Sequence, residues 1–117
     1  MMKNDSPCTG KTLPKLVKPA IMKAISVRPM HGYEILKALE SNGIFTPGSV
    51  NLSGVYRTLN QLEKDGKLVS ELEKPQAGPA RRVYSLTEKG ACCLGSWKRT
   101  LNSYKEQIET ALSFLNS

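Results

Sequence analysis

The chain has only one histidine, His31, and three cysteines, Cys8, Cys92 and Cys93. No two of the cysteines stand in a paired CxxC spacing, so a structural zinc site is not expected. One histidine, far in sequence from every cysteine, leaves no readable nucleophile and base pair. Neither a metal, a cofactor nor an enzymatic activity is therefore expected. Long apolar runs are missing too, and none approaches the roughly 20 residues that span a bilayer. The opening Met1-Met2-Lys3-Asn4-Asp5 lacks an apolar signal core, so the expected location is cytoplasmic, with no membrane partner.

Acidic side chains are few: 10 against 17 basic ones, a net charge of +7 in 117 residues. That balance favours a polyanionic partner, because each phosphate contact releases condensed counterions. Nucleic acid is the leading candidate, ahead of an anionic membrane surface. The excess is uneven. Residues 1–40 hold seven basic and three acidic side chains, whereas the stretch from Ala91 holds three and two. Further bases cluster at Lys74, Arg81 and Arg82.

The length suits one domain and any appended helix. Residues 1–12, with Asp5, Ser6, Pro7, Thr9 and Gly10, read as a flexible tail. From Leu13 through Leu16, Val17, Ala20, Ile21, Ala24 and Ile25 the apolar residues recur at three and four, the stripe of a first helix. Pro14 and Pro19 blur its start, and the regular part is expected near Pro19. Arg28 and Pro29 end it. A second helix is read from about His31 to Ser41, closed by Asn42 and Gly43.

After a loop from Ile44 to Val50, either Asn51 or Ser53 suits an N-cap. Leu52, Val55, Tyr56, Leu59 and Leu62 then fall on one helical face, and Gly66 stops the run. The opposite face carries Ser53, Gly54, Arg57, Thr58, Asn60, Gln61 and Lys64. These are hydrogen-bonding groups, not the Glu and Lys pairs usual on a solvated helix. Leu68–Glu73 and Arg82–Leu86 read as two short strands. Their link, Lys74 to Arg81, is too long for a tight turn and must project. A basic projecting hairpin after a helix-turn-helix is a wing.

Thr87 and Glu88 open a final helix in which Leu94, Trp97, Leu101, Tyr104, Ile108, Ala111 and Leu115 alternate spacings of three and four, a heptad stripe. Running from Lys89 to Asn116 it is roughly 40 Å long, too long to bury that stripe on one small domain. Its expected partner is a second copy of itself or of the first helix.

Three segments in order resemble the PadR family of bacterial transcription regulators, whose pattern is a GYEI segment, a GxLYxxLxxLExxG helix and an RRxYxLTxxG wing. Here they stand as Gly32-Tyr33-Glu34-Ile35, as Gly54 to Gly66, and as Arg81 to Gly90. The resemblance covers roughly Leu13 to Gly90, and the short chain is similar to the smaller branch, with one C-terminal helix. Val55 stands for the usual leucine, and Asn60 and Gln61 for residues that are often Lys or Arg. The resemblance implies a winged helix-turn-helix at 13–87 and a dimerisation helix at 88–117. The fold class is mainly α with a two-stranded β wing.

It further implies a homodimeric repressor of a pseudo-palindromic operator in double-stranded DNA. The expected DNA contacts are Ser53, Gly54, Tyr56, Arg57, Thr58, Gln61, Lys64, Lys74, Arg81 and Arg82. Of these, Arg57 and Gln61 are expected to read bases, and Ser53 and Thr58 to touch backbone. Tyr56 reads either as core or as a phosphate contact. Arg81 and Arg82 leave their strand on opposite sides, so at most one follows the wing onto DNA while the other covers Tyr84. The dimer interface is expected at Leu94, Trp97, Leu101, Tyr104, Ile108, Ala111 and Leu115. Trp97 also has a second reading, by analogy, as the site of a small planar aromatic effector.

Cys92 and Cys93 face different sides of a helix and read as packing residues, while His31 reads as a solvent-facing turn residue. Two alternatives stay open: a winged-helix module that binds protein and not DNA, and a regulator that senses redox state through its cysteines.

Overall fold

The computed structural model describes residues 16–46 and 48–117. The tail expected at 1–12, Cys8 within it, and the start of the first stripe at Leu13 lie outside the described residues.

Helix α1 spans Val17–Val27 and buries Ile21, Met22 and Ile25 along one stripe. It begins two residues before Pro19. Pro19 therefore falls in the first turn, where the missing N–H would have had no intrahelical acceptor. Arg28 turns the chain to extended backbone, and Met30–His31 forms a two-residue strand, β1. Helix α2 follows at once over Gly32–Ser41 and buries Ile35 and Leu39.

His31 is thus not the solvent-facing turn residue expected. Its backbone lies in the sheet, opposite Val83, and its half-buried ring caps α2 by accepting the Glu34 N–H at 3.4 Å. Glu34 completes a capping box, its carboxylate accepting the His31 N–H at 3.1 Å. Arg28 donates to the same carboxylate at 3.2 Å. The His31 N–H, and next the Arg28 guanidinium, hold the Glu34 carboxyl below its ordinary value of 4.5 against the opposing cost of burial.

Helix α3, Leu52–Lys64, is capped by Asn51, whose Oδ1 accepts from Gly54 N at 2.8 Å. Val55, Leu59 and Leu62 are fully buried, but Leu52 and Tyr56, placed with them on the apolar stripe, are exposed. The helix closes in a Schellman motif. Gly66 takes φ +80°, Lys67 N donates to Leu62 O at 2.9 Å, and Gly66 N donates to Glu63 O at 3.0 Å.

Strands β2, Leu68–Glu73, and β3, Arg81–Leu86, form the expected hairpin, with β3 starting one residue earlier, at Arg81. The sheet has three antiparallel strands in the order β1-β3-β2, not two. β1 is too short to show alternation, so no pattern in the sequence marks it. In this register Leu68, Ser70 and Leu72 share a face with Arg82, Tyr84 and Leu86. The inner end of that face, Leu68 and Tyr84, joins Met30 and the three helices in one core. Each aliphatic side chain withdrawn there is worth about 1.5–3 kcal/mol.

Helix α4 runs from Glu88 to Leu115. Its start is fixed by Thr87, whose hydroxyl accepts from Gly90 N at 3.0 Å and donates to the Gly66 carbonyl at 2.7 Å. At about 42 Å long, the helix extends a molecule measuring 62 × 29 × 29 Å.

Candidate nucleic-acid interface

Core packing on one side of α3 decides what its other side presents. With Val55, Leu59 and Leu62 turned inward, Ser53, Arg57, Asn60, Gln61 and Lys64 are exposed, and Gly54 and Thr58 are half-buried beside them. Thr58 is already engaged, its hydroxyl donating to the Gly54 carbonyl at 3.0 Å. Gln61 donates to Asp65 Oδ1 at 3.2 Å in an exposed bond. Among the described residues the ion pairs are Arg28–Glu34, His31–Glu34 and Arg81–Glu73, so the Arg57 guanidinium is committed to none.

The β2–β3 hairpin divides its two arginines as alternation requires. Arg81 lies on the outer face, 3.8 Å from Glu73 directly opposite. Arg82 shares the face of Tyr84 and reaches diagonally to Ser70, donating to its hydroxyl at 3.1 Å. Ser70 in turn donates to Glu63 of α3 at 2.7 Å. Lys74 is exposed at the start of the connecting loop.

Tyr56 and Tyr84 meet Glu63 and Arg82 at this joint between α3 and the wing. Burial pushes the Tyr84 phenol above its ordinary value of 10.0, with the Glu63 carboxylate and the Tyr56 phenol adding to the shift and the Arg82 guanidinium opposing it. Tyr56 is only partly withdrawn from solvent. Its ring packs over Gly32 while 40% of the residue stays exposed. Ser70 and Glu63 were not among the expected site residues. The diagonal register that joins them to Arg82 appears only once the strands are paired.

The stripe on α4 divides in two. Leu94 and Trp97 pack against the chain's own core and Leu101 is half-buried, whereas Tyr104, Ile108, Ala111 and Leu115 are exposed, with Leu112 alongside. Trp97 also lines a cavity of about 550 Å³ together with Lys18, Asn51, Arg57 and Thr58. An aromatic surface and the exposed helix α3 thus share one cleft, and among the described residues no acidic side chain lines it. Cys93 packs at the core edge, but Cys92 is exposed and so is not the packing residue expected. Among the described residues no group of three metal-binding side chains converges, and no helix is long and apolar enough to cross a membrane.

A helix-turn-helix whose polar second helix stands beside a β hairpin is a winged-helix arrangement. Residues 21–95 match the model of the transcriptional regulator PadR-like family. The chain is 35% identical over 80 residues to the transcriptional regulator Rv3488 of Mycobacterium tuberculosis, covering 68% of this chain and 69% of that protein. It is similar to the crystal structure of the putative transcriptional regulator TA0346 from Thermoplasma acidophilum. There the identity is 31% and the TM-score 0.70, with 88% of this chain and 96% of that one covered. A PadR family regulator from Clostridium difficile R20291, at 22% identity and covering 83% and 98% of the two chains, shares the fold with a TM-score of 0.73. This chain belongs to the PadR-like family of transcriptional regulators.

Proposed function

We propose that this regulator is a cytoplasmic homodimeric repressor, in which two copies of α3 enter successive major grooves of a pseudo-palindromic operator while the wings grip the flanking backbone. The observation that carries the reading is the outward face of α3, where Ser53, Arg57, Gln61 and Lys64 stand exposed on a rigid, buried base. Arg57 and Gln61 have the donor geometry to read base edges, and Ser53 and Thr58 suit the backbone. The net charge of +7 supplies the sequence-independent attraction.

The cavity beside Trp97 supports release by a small planar aromatic effector. A ligand stacked on the indole lies next to Arg57 and Thr58, and so has different contacts in the free and DNA-bound arrangements, which is what shifts an equilibrium. A salt series on duplex DNA tests the DNA reading. Binding is expected at low salt and to fall steeply as salt rises. If no duplex binds at low salt, the repressor reading falls.

A further inference from the structure

Two adjacent arginines enter the wing, and the fold treats them differently. Arg81 faces the outer side and stands 3.8 Å from the Glu73 carboxylate. Its charge is partly compensated in place, and it points away from α3. Arg82 lies on the face of the hairpin that continues into the core, the face turned toward α3. Its bond goes to the neutral Ser70 hydroxyl at 3.1 Å. That hydroxyl is oriented in turn, because it gives its own proton to Glu63 Oε2 at 2.7 Å, which leaves its lone pairs for Arg82. Glu63 is the penultimate residue of α3 and is itself half-buried. The sequence Glu63, Ser70, Arg82 therefore runs from the reading helix through β2 to β3. It holds the exposed guanidinium on the α3 side of the hairpin, and among the described residues no carboxylate pairs with it directly.

We infer that Ser70, oriented by Glu63, is a positioning residue that holds Arg82 on the reading-helix side of the wing, making Arg82 and not Arg81 the wing's phosphate contact. A phosphate strand passing between the major groove that receives α3 and the minor groove beside the wing runs past this side of the hairpin. There Arg82 presents a guanidinium whose other donors remain open, with its orientation set in advance so that little freedom is lost on binding. The raised value of the Tyr84 phenol agrees with this arrangement, since Tyr84 stays an uncharged floor beneath the arginine.

The inference rests on the DNA-binding reading, and the native protein separates the two. If the native chain binds no duplex at low salt, that reading falls and this inference with it. If the native chain binds, a double-mutant cycle read against salt decides the inference alone. Arg82→Ala is expected to flatten the slope of log affinity against log salt by about 0.9 per protomer, while Arg81→Ala leaves it near native. Ser70→Ala is expected to weaken binding roughly two- to tenfold, the worth of one net hydrogen bond, and to cost nothing further in the Arg82→Ala background. Ser70→Thr keeps the hydroxyl and restores native binding. Thermal melts confirm that each variant is folded, since these side chains lie at the rim of the core. A slope lowered by Arg81→Ala instead, or a Ser70→Ala loss of equal size with and without Arg82, overturns the assignment.

Discussion

The phenol ring of Tyr56 packs against the backbone of Gly32, so close that a β-carbon at position 32 would fall 2.5 Å from the ring carbon Cζ and 2.6 Å from the hydroxyl oxygen. Gly32 opens α2 and Tyr56 sits in the second turn of α3, so this contact sets how closely the two helices of the helix-turn-helix approach. Glycine leaves the ring room there and serves no unusual backbone angle, so any larger residue must displace the phenol.

Gly32→Ala is accordingly expected to destabilise the fold by roughly 1–3 kcal/mol, the range for overpacking. Part of the loss should return when Tyr56 is also cut to Leu, which removes the opposing atoms. Urea titrations of the two single variants and the double variant measure the coupling. Additive losses would mean that the ring simply swings aside.

The Thr87 hydroxyl joins two jobs, capping α4 at Gly90 and holding the Gly66 carbonyl at the end of α3. Thr87→Val keeps the shape but removes both bonds. The expected cost is about 1–2 kcal/mol, an N-cap and a second hydrogen bond together. Because the same residue orients α4 relative to α3, DNA affinity should fall more than the stability loss alone explains. Comparing melting temperature with duplex affinity checks this.

Glu34 makes stability sensitive to acid. Its folded value is depressed below 4.5, so its contribution is fully present above that unfolded value and is lost as pH falls through the folded one. Glu34→Gln should therefore be less stable than native at neutral pH and converge with it only as pH falls below 4.5 and through the depressed folded value. Denaturation midpoints from pH 3 to 7 test the sign. A constant gap between the two proteins would show that the carboxylate charge has no part in the box.

Helices and hairpin were legible in the sequence because each carries a period and a stop signal. Val55, Leu59 and Leu62 repeat on one face, and Gly66 ends them at the only φ the turn permits without strain. What escaped depends on contacts between segments distant in sequence. β1 has two residues and exists only because β3 pairs with it. His31 looked like a turn residue because nothing local announces a ring that caps one element while its backbone joins another. The polar face of α3 could be read from position alone, whereas the Glu63–Ser70–Arg82 connection needed the strand register.

Arg57 is expected to carry operator preference. Its guanidinium is exposed on α3 and lies in none of the ion pairs among the described residues. Arg57→Ala should reduce the preference for operator over random duplex by about 1–3 kcal/mol, and Lys64→Ala should weaken both duplexes together. Selection from random duplexes followed by competition binding distinguishes these effects. Equal weakening on both duplexes by Arg57→Ala would reassign it to phosphate.

The distal half of α4 sets the last prediction. From Asn102 onward every residue of this helix is exposed in the single chain, including Tyr104, Ile108, Leu112 and Leu115. A helical segment of that length holds poorly in water by its own backbone bonds, so its apolar edge requires a cover. An apolar groove of about 480 Å³ lies beside it, formed by α1, the end of α2 and Leu101, with Pro19, Val27 and Ile44 in its wall. The proposed symmetric pair is expected to bury each α4 stripe against the other copy and so to set the spacing of the two α3 helices, which an operator requires to be about 34–36 Å. Ile108→Lys places a charge at the centre of that edge. Sedimentation should show the native protein as a dimer and the variant as a monomer, with lower helicity by circular dichroism and operator affinity reduced to the non-specific level. A variant that stays dimeric would move the interface away from this stripe, and a native monomer would remove the fixed spacing on which a two-site operator depends.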